Sequence, residues 1–168
     1  MGRYRAPAAK SSCYITRQGY DDLNNEHEQL WFVRRPEVVK ALSAAAAEGD
    51  RSENAEYIYR KKELGSIDYR VRYLRKRLDE LKIVDTIPDN PKKIFFGAWV
   101  ELENEQGNIL IYRIVGPDEF DKNEAYISMD SPVAKALMGK TEDDDVRVKG
   151  PQNDLHYIVL QVSYTSLL

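Results

Sequence analysis

Apolar residues recur at helical spacing along the first half of the chain. The hydroxyl of Thr16 can cap a helix that begins at Arg17, and apolar positions three and four residues apart then mark one buried stripe. That stripe consists of Tyr20, Leu23, His27 and Leu30. Pro36 lacks the N–H that a helix interior needs, so we expect a kink or local break near Arg35 before an alanine-rich helical run resumes.

A second helix shows a heptad pattern. Its apolar a and d positions are Tyr57, Leu64, Ile67, Val71, Leu74, Leu78 and Leu81. Such a stripe needs a partner, and only a few residues around Gly49 separate it from the first helix. The pattern therefore predicts an antiparallel coiled-coil hairpin, whose second helix of about 30 residues would be a rod of roughly 45 Å.

The pattern changes to strand alternation in the second half, after a polar segment that contains Pro88 and Pro91. Strands are predicted at 99–102, 109–115, 125–129, 145–149 and 157–164. Ser131 followed by Pro132 predicts a short helix that ends at Gly139. The expected fold class is α+β, with a tail at 1–13, a coiled-coil hairpin domain at 14–87 and a small antiparallel sheet domain with one short helix at 88–168.

Charge is divided unevenly between the two halves. Residues 1–88 carry 17 Lys/Arg against 14 Asp/Glu, which is +3, and residues 89–168 carry 8 against 14, which is −6. The first half is the better candidate for binding a polyanion. A long apolar run is missing from the sequence, so we expect a cytoplasmic protein without membrane contact. One cysteine and two histidines cannot form a Cys/His metal cluster.

Two carboxylates at the hairpin tip are the strongest candidates for chemistry. Asp50 and Glu53 lie three residues apart in the segment that joins the helices. One interpretation is purely structural, with Asp50 as N-cap and Glu53 completing a capping box. The other uses their exposure at the end of a rod, because paired carboxylates can hold a weakly bound Mg²⁺ that keeps several waters.

The shaft of the second helix is basic. Between residues 60 and 82 it carries Arg60, Lys61, Lys62, Arg70, Arg72, Arg75, Lys76, Arg77 and Lys82, against four acidic residues. A solvated helix face explains this composition, and so does a surface that follows a phosphate backbone. Arg51, Arg60 and Lys61 are nearest the tip and are the first candidates for contacting the end of a nucleic acid. The acidic run at 143–145 resembles a cation site, but without accompanying ligands a solvated turn is the better explanation.

These segments together resemble a known family. The tip Gly-Asp-Arg-Ser-Glu-Asn-Ala-Glu-Tyr (49–57) is similar to the tip motif of bacterial Gre-type transcript-cleavage factors, and Ile-Ser-Met-Asp-Ser-Pro-Val-Ala-Lys-Ala-Leu (127–137) is similar to their C-terminal signature. Arg-Arg-Pro-Glu-Val (34–38) and Phe-Phe-Gly-Ala-Trp-Val-Glu (95–101) resemble the GreB branch. The resemblance spans roughly residues 14–164.

The resemblance implies a transcription elongation factor that is not itself an enzyme. Its hairpin would enter the secondary channel of bacterial RNA polymerase and stimulate cleavage of the RNA 3′ end in backtracked complexes. Asp50 and Glu53 would help to hold a Mg²⁺ shared with the polymerase active site, with no cofactor bound by the chain alone. The second domain would be FKBP-like, and Asp130, Ser131 and Pro132 would dock on the channel rim.

Alternatives remain open at this level. A channel-binding regulator that does not promote cleavage would have the same architecture, and an FKBP-like domain alone would also suit a peptidyl-prolyl isomerase. We expect a monomer, because the apolar seam is satisfied within the hairpin. The runs at 143–145 and 151–154 depart from the glycine-containing turns of the family, and the N-terminal tail is longer than its pattern.

Overall fold

Two compact units make up the chain. The structure is a computed structural model, and it describes residues 11–47, 53–150 and 154–168. One unit comprises residues 20–81, and the other comprises the residues before 20 and after 81. The hairpin domain expected at 14–87 therefore extends past this division at both ends.

The first helical arm contains three successive segments. Helix α1 (Arg17–Glu28) leads into a π-helical segment (Gln29–Arg34), and α2 (Arg35–Ala47) follows. The Thr16 hydroxyl oxygen accepts a hydrogen bond from the Gly19 N–H at 3.0 Å, which confirms the predicted cap. The Arg35 N–H donates to the Leu30 carbonyl, five residues back. In place of the break predicted near Arg35, a π-helical segment ends at Arg34, two residues before Pro36.

Helix α3 (Ala55–Glu80) forms the second arm and has 26 residues, about 39 Å at 1.5 Å per residue. Val38 is fully buried against Ile67 and Val71, with Leu30 and Leu64 packed around them. The two arms run in opposite directions, because hydrogen bonds join residue 45 to 54, residue 35 to 68 and residue 26 to 70. This order confirms the antiparallel hairpin and the predicted seam.

A five-stranded sheet forms the core of the other unit. Its strands are β3 (Trp99–Asn104), β4 (Ile109–Val115), β5 (Tyr126–Ser128), β6 (Asp145–Val148) and β7 (Leu155–Ser163). Their order across the sheet is β5-β4-β3-β7-β6. Each covers most of a predicted strand. The short helix α4 (Pro132–Leu137) begins at Ser131, whose hydroxyl accepts from the Ala134 N–H at 3.1 Å. Its residues Ala134 and Leu137 are fully buried in the same core as Val100 and Val159.

One edge of the sheet departs from the antiparallel arrangement that we expected. Strand β5 pairs parallel with β4, with Arg113 opposite Tyr126. The connection from residue 116 to 125 contains a 3₁₀ turn (Phe120–Lys122) and carries the chain back along β4 before β5 begins. A strand that returns to the same end of its neighbour pairs in parallel with it. The sheet is therefore mixed.

A second, two-stranded sheet lies where the hairpin helices begin and end. Strands β1 (Tyr14–Ile15) and β2 (Lys82–Ile83) pair in parallel, and the Ile15 side chain is fully buried. The Lys82 N–H donates to the Cys13 carbonyl at 2.7 Å, and the Val84 N–H donates to the Ile15 carbonyl at 2.9 Å. Two strands of two residues were not predicted, because such short segments carry no alternation. In the ranges that the structure describes, no helix is long and apolar enough to span a membrane.

Candidate functional site at the hairpin tip and its basic face

Asn54 is the N-cap of α3. Its side-chain oxygen accepts a hydrogen bond from the Tyr57 N–H at 3.0 Å, and its amide nitrogen donates to the Ala45 carbonyl at 2.8 Å. One side chain therefore provides a hydrogen-bond partner both for an N–H in the first turn of α3 and for a carbonyl in the last turn of α2. The interpretation of Asp50 as the cap of this helix is wrong, because α3 begins at Ala55 and has its own cap immediately before it.

Glu53 stands directly before this cap, in a turn, and is exposed. It is not at the third position of a helix, so it cannot complete a capping box as that interpretation required. Among the residues that the structure describes, none forms a hydrogen bond or an ion pair with its carboxylate. Toward the described residues, both carboxylate oxygens of Glu53 are therefore uncontacted, which suits an external ligand. Asp50 and Arg51 lie outside the described residues.

Arg60 and Lys61, the two described candidates for guiding RNA, differ in their contacts. Arg60 donates to Glu56 at 2.7 Å and to Glu63 at 3.0 Å, and its guanidinium lies 5.3 Å from the centroid of the Tyr59 ring. The hydrogen bond to Glu56, followed by that to Glu63, holds the pKa of Arg60 above its ordinary value. The Arg60 charge is thus largely balanced within the hairpin, whereas Lys61 is exposed.

Glu63 joins the two arms through arginines. It accepts hydrogen bonds from Arg60 on its own helix and from Arg34 at the end of the π-helical segment. Desolvation acts to raise the pKa of Glu63, but the hydrogen bonds and charges of Arg34 and Arg60 outweigh it, so the pKa lies below its ordinary value. The carboxylate is therefore charged at neutral pH and balances part of the positive shaft.

The remaining basic residues of α3 do not share one face. Arg70 forms a bidentate pair with Glu26, with both distances 2.7 Å, and Arg77 is buried. Arg72 and Arg75 instead line a cleft of about 250 Å³ together with Trp31, Arg35, Asp68 and Val71. The Arg35 guanidinium pairs with Asp68 at 2.8 Å and lies 5.0 Å from the Trp31 ring centroid.

This cleft combines exposed cations with an aromatic face, the composition that suits a nucleic-acid strand. We did not single out Trp31 and Arg35 from the sequence, because both lie in the first arm and the basic count was made on the second. The Arg-Arg-Pro segment (34–36) could have pointed to this cleft, because the apolar stripe of the first arm places that segment beside α3.

The loop before α4 contains the second group of predicted site residues. Asp130 is half-buried, and its carboxylate accepts hydrogen bonds from the backbone N–H of Ser12, at 2.9 Å, and from the Ser12 hydroxyl. Ser131 caps α4, and Pro132 is its exposed first residue. The structure brings these three residues together at one corner of the sheet unit, with the N-terminal segment held against Asp130.

Comparison with known proteins identifies the architecture. Residues 13–83 match the family model "Transcription elongation factor, N-terminal", and residues 88–164 match "Transcription elongation factor, GreA/GreB, C-term". The chain belongs to the GreA/GreB family of transcription elongation factors. The two matches cover both units and leave only short segments outside.

Other members of the family align with this chain over almost its whole length. This chain is 56% identical to "Transcription elongation factor GreB" of Xanthomonas axonopodis pv. citri, over 99% of this chain and 100% of that protein. The GreB of Yersinia pestis is also 56% identical, over 93% and 91%. Among solved structures, Thermus aquaticus Gfh1 is 26% identical over 92% of this chain and 99% of that one, with a TM-score of 0.42.

The acidic run in the sheet unit of this Gre factor forms a turn. Asp144 accepts hydrogen bonds from the Thr141 N–H, at 2.8 Å, and from its hydroxyl, and these contacts hold the pKa of Asp144 below its ordinary value. Asp143 has a φ of +67°, the left-handed conformation that a turn tolerates in Asp. Within the described part of the chain, no group of three His, Cys, Asp or Glu residues could hold a metal ion.

Proposed function

We propose that this chain stimulates cleavage of backtracked RNA by bacterial RNA polymerase. The hairpin enters the secondary channel of the polymerase and adds the carboxylates of Asp50 and Glu53 to the polymerase active site. The observation that carries the proposal is Glu53, an exposed carboxylate without a contact to the described residues, next to the cap of a helix about 39 Å long. The chain lends acidic groups and is not an enzyme alone.

The chemistry of the tip suits Mg²⁺ held by a partner. Mg²⁺ prefers oxygen ligands and keeps waters, so a site completed by one or two carboxylates of another protein is compatible with its coordination. In the active site, the metal would supply charge that stabilises the attacking and leaving oxygens of the phosphodiester. Glu53, whose oxygens contact none of the described residues, would bind the metal or orient a water, and Asp50 would supply the second acidic group.

The basic surface supports RNA as the second partner. Lys61 is exposed near the tip, and Arg51 is close to it in the sequence. Farther along the hairpin, Arg72 and Arg75 line the cleft beside Trp31. These groups contact phosphates by charge and a base by stacking, which requires no particular sequence. Arg60 holds the local structure through Glu56 and Glu63 and contributes less to RNA binding than Lys61.

Docking on the polymerase belongs to the sheet unit in this proposal. Asp130, Ser131 and Pro132 form a loop whose shape is fixed by the α4 cap and by Ser12. A loop held in this way presents its exposed residues with little ordering cost on binding. The same loop places Pro132 at the surface, where the rim of the polymerase channel can contact it.

The test measures RNA release from a halted, backtracked elongation complex. Wild type is compared with Asp50→Asn plus Glu53→Gln, which keep side-chain shape and remove charge, at concentrations that saturate the polymerase. The matched control removes two exposed acids away from the tip, Glu28→Gln plus Asp79→Asn. We expect wild type and control to shorten the RNA from its 3′ end, and the tip variant to lose at least about 100-fold in rate, as for loss of a charged catalytic group.

Two results would contradict the proposal. Equal cleavage by wild type and the tip variant would make the tip acids dispensable. Slower RNA synthesis without RNA shortening would instead identify a regulator that occupies the channel and does not promote cleavage.

A further inference from the structure

A buried carboxylate holds the residue at which α1 begins. Glu119 is only 3% exposed, although it follows β4 in a connecting loop. It accepts hydrogen bonds from the Thr16 N–H at 3.0 Å, from the Thr16 hydroxyl at 2.5 Å and from the Gly116 N–H at 2.8 Å. More than 100 residues of sequence separate Glu119 from Thr16, so this is a tertiary contact.

The Thr16 hydroxyl transmits this contact to the helix. It donates to Glu119 and, through its oxygen, accepts from the Gly19 N–H at 3.0 Å. The N-cap of α1 is therefore oriented by a carboxylate outside the helix. The hydroxyl of an unrestrained N-cap residue can rotate between several partners. The Thr16 hydroxyl is held in one orientation, because it donates one hydrogen bond and accepts another.

Gly19 and Gly116 lie next to the Glu119 carboxylate, and the absence of a side chain at each of them provides the space that it occupies. A Cβ added at Gly19 would overlap the Oε2 atom of Glu119 and would lie 2.7 Å from its Cδ. A Cβ added at Gly116 would lie 3.2 Å from Oε1 and would overlap the Tyr14 carbonyl oxygen. Glycine within the first turn of a helix is otherwise unfavourable, because alanine is the better helix former. Gly19 is thus explained by Glu119 rather than by the helix.

The same place also holds the end of the hairpin. Strand β1 immediately precedes Thr16, and it pairs with β2, which immediately follows α3 and Leu81. The chain that enters the hairpin and the chain that leaves it are therefore joined beside Glu119. Packing alone does not require a charged group here, since a buried carboxylate is costly unless its hydrogen bonds are complete. The three donors fix the orientation of the Glu119 carboxylate, and an apolar side chain would have no such hydrogen bonds to orient it.

We propose that Glu119 is a positioning residue for the cleavage reaction, acting through Thr16 and Gly19 to fix the first turn of α1. This inference rests on the proposed function. Fixing the base of a long rod limits the range of positions that its tip explores, and so raises the fraction of docked complexes in which the tip carboxylates reach the reacting phosphate. Glu119 itself contacts no reacting atom.

The decisive variants include alanine substitutions of two helical glycines, Gly19 in α1 and Gly65 in α3. Gly19→Ala forces the Glu119 carboxylate out of its place, whereas Gly65→Ala, in the middle of α3, meets no atom within 4 Å and serves as the matched control. Glu119→Gln keeps the shape and replaces one acceptor oxygen by a donor. Combining Gly19→Ala with Glu119→Ala removes the overlap, so the two changes should not be additive.

Cleavage is measured as a function of factor concentration on backtracked complexes. We expect Gly19→Ala and Glu119→Gln to lower the maximal rate by about tenfold, the effect of losing one charge-assisted hydrogen bond, while the half-saturating concentration changes less than twofold. Gly65→Ala should match wild type in both quantities. In the double variant, Gly19→Ala should lower the rate no further than Glu119→Ala alone.

Amide hydrogen exchange at Thr16 and Gly19 provides a readout without the polymerase. Exchange should be slow in wild type and at least about tenfold faster in Glu119→Gln, because the anchoring acceptor is lost. Unchanged maximal rates in the anchor variants, with wild type active, would overturn the positioning role and leave the proposed function intact. A wild type that cleaves nothing would overturn both, and amide exchange would then report on the anchor alone.

Discussion

Asn54 uses both ends of one amide group. Its oxygen caps α3, and its nitrogen bonds the Ala45 carbonyl near the end of α2. Asp caps helices as well as Asn does, but its carboxylate cannot also donate a hydrogen bond to a neighbouring carbonyl. The choice of Asn at this position is therefore explained by the closure of the hairpin beside Glu53.

Substitution of Asn54 separates these two contacts. Asn54→Ala removes both and should lower the free energy of unfolding by about 2 kcal/mol, and Asn54→Asp keeps the cap and should cost about half as much. Urea denaturation followed by circular dichroism at 222 nm measures the difference. No loss for Asn54→Asp would show that the contact with Ala45 contributes nothing, and equal losses for the two variants would show that the cap contributes nothing.

At the scale of the helical elements, the two arms are joined by ion pairs at intervals along the apolar seam. Arg34 pairs with Glu63, Arg35 with Asp68, and Glu26 with Arg70. Single exposed pairs stabilise a protein little, and a carboxylate shared by two arginines stabilises it more because the desolvated group is satisfied on both sides. The two arginines that contact Glu63 hold its pKa below the ordinary value.

The Glu63 network predicts a stability that depends on pH. Its pKa in the folded chain lies below the ordinary value of 4.5, so its contribution is complete above about pH 4.5 and is lost as the pH falls through the folded pKa. Glu63→Gln should therefore destabilise the hairpin more at pH 7 than at pH 3. Thermal unfolding at both values tests this, with Asp79→Asn on the exposed side of α3 as the control. A penalty as large at pH 3 as at pH 7 would contradict the prediction.

Elements with local signals could be predicted from the sequence. The Thr16 cap, the Ser131–Pro132 helix start and the α3 seam each depend on residues within one or two turns of one another, and all three were confirmed. The Asn54 cap was missed because Asp50, four residues earlier, is an equally good capping residue. The parallel β4–β5 pair and the Glu119 anchor depend on how a loop folds back, which local periodicity does not encode.

At the scale of the whole molecule, the sheet unit is discontinuous in sequence. Ile15 and Thr16 are buried in it, although they precede the hairpin by only a few residues. A domain cut at the proline-containing linker, residues 88–168, lacks both of them and strand β2. The Glu119 carboxylate in such a fragment has lost two of its three donors.

Fragments of the sheet unit should show this discontinuity. A chain in which residues 11–19 are joined to 82–168 by a short Gly/Ser linker should melt higher than residues 88–168 alone, by at least about 5 °C for a loss on the order of 1 kcal/mol. Trp99 is the only tryptophan in either fragment, so its fluorescence follows the transition. Glu119→Ala should lower the melting temperature of the linked fragment more than that of the short one. Equal melting temperatures would show that the N-terminal segment is dispensable.

The π-helical segment at 29–34 also determines where the hairpin tolerates a change of length. The buried or partly buried positions Leu23, Leu30, Val38 and Ala45 follow one another at intervals of seven, eight and seven residues. The interval of eight spans the π-helical segment, which accommodates one residue more than an α-helix would. Deletion of one residue from this segment leaves intervals of seven throughout, whereas a deletion inside α2 turns every later side chain by about 100° away from α3. Insertions and deletions accumulated in related chains should therefore concentrate at this turn.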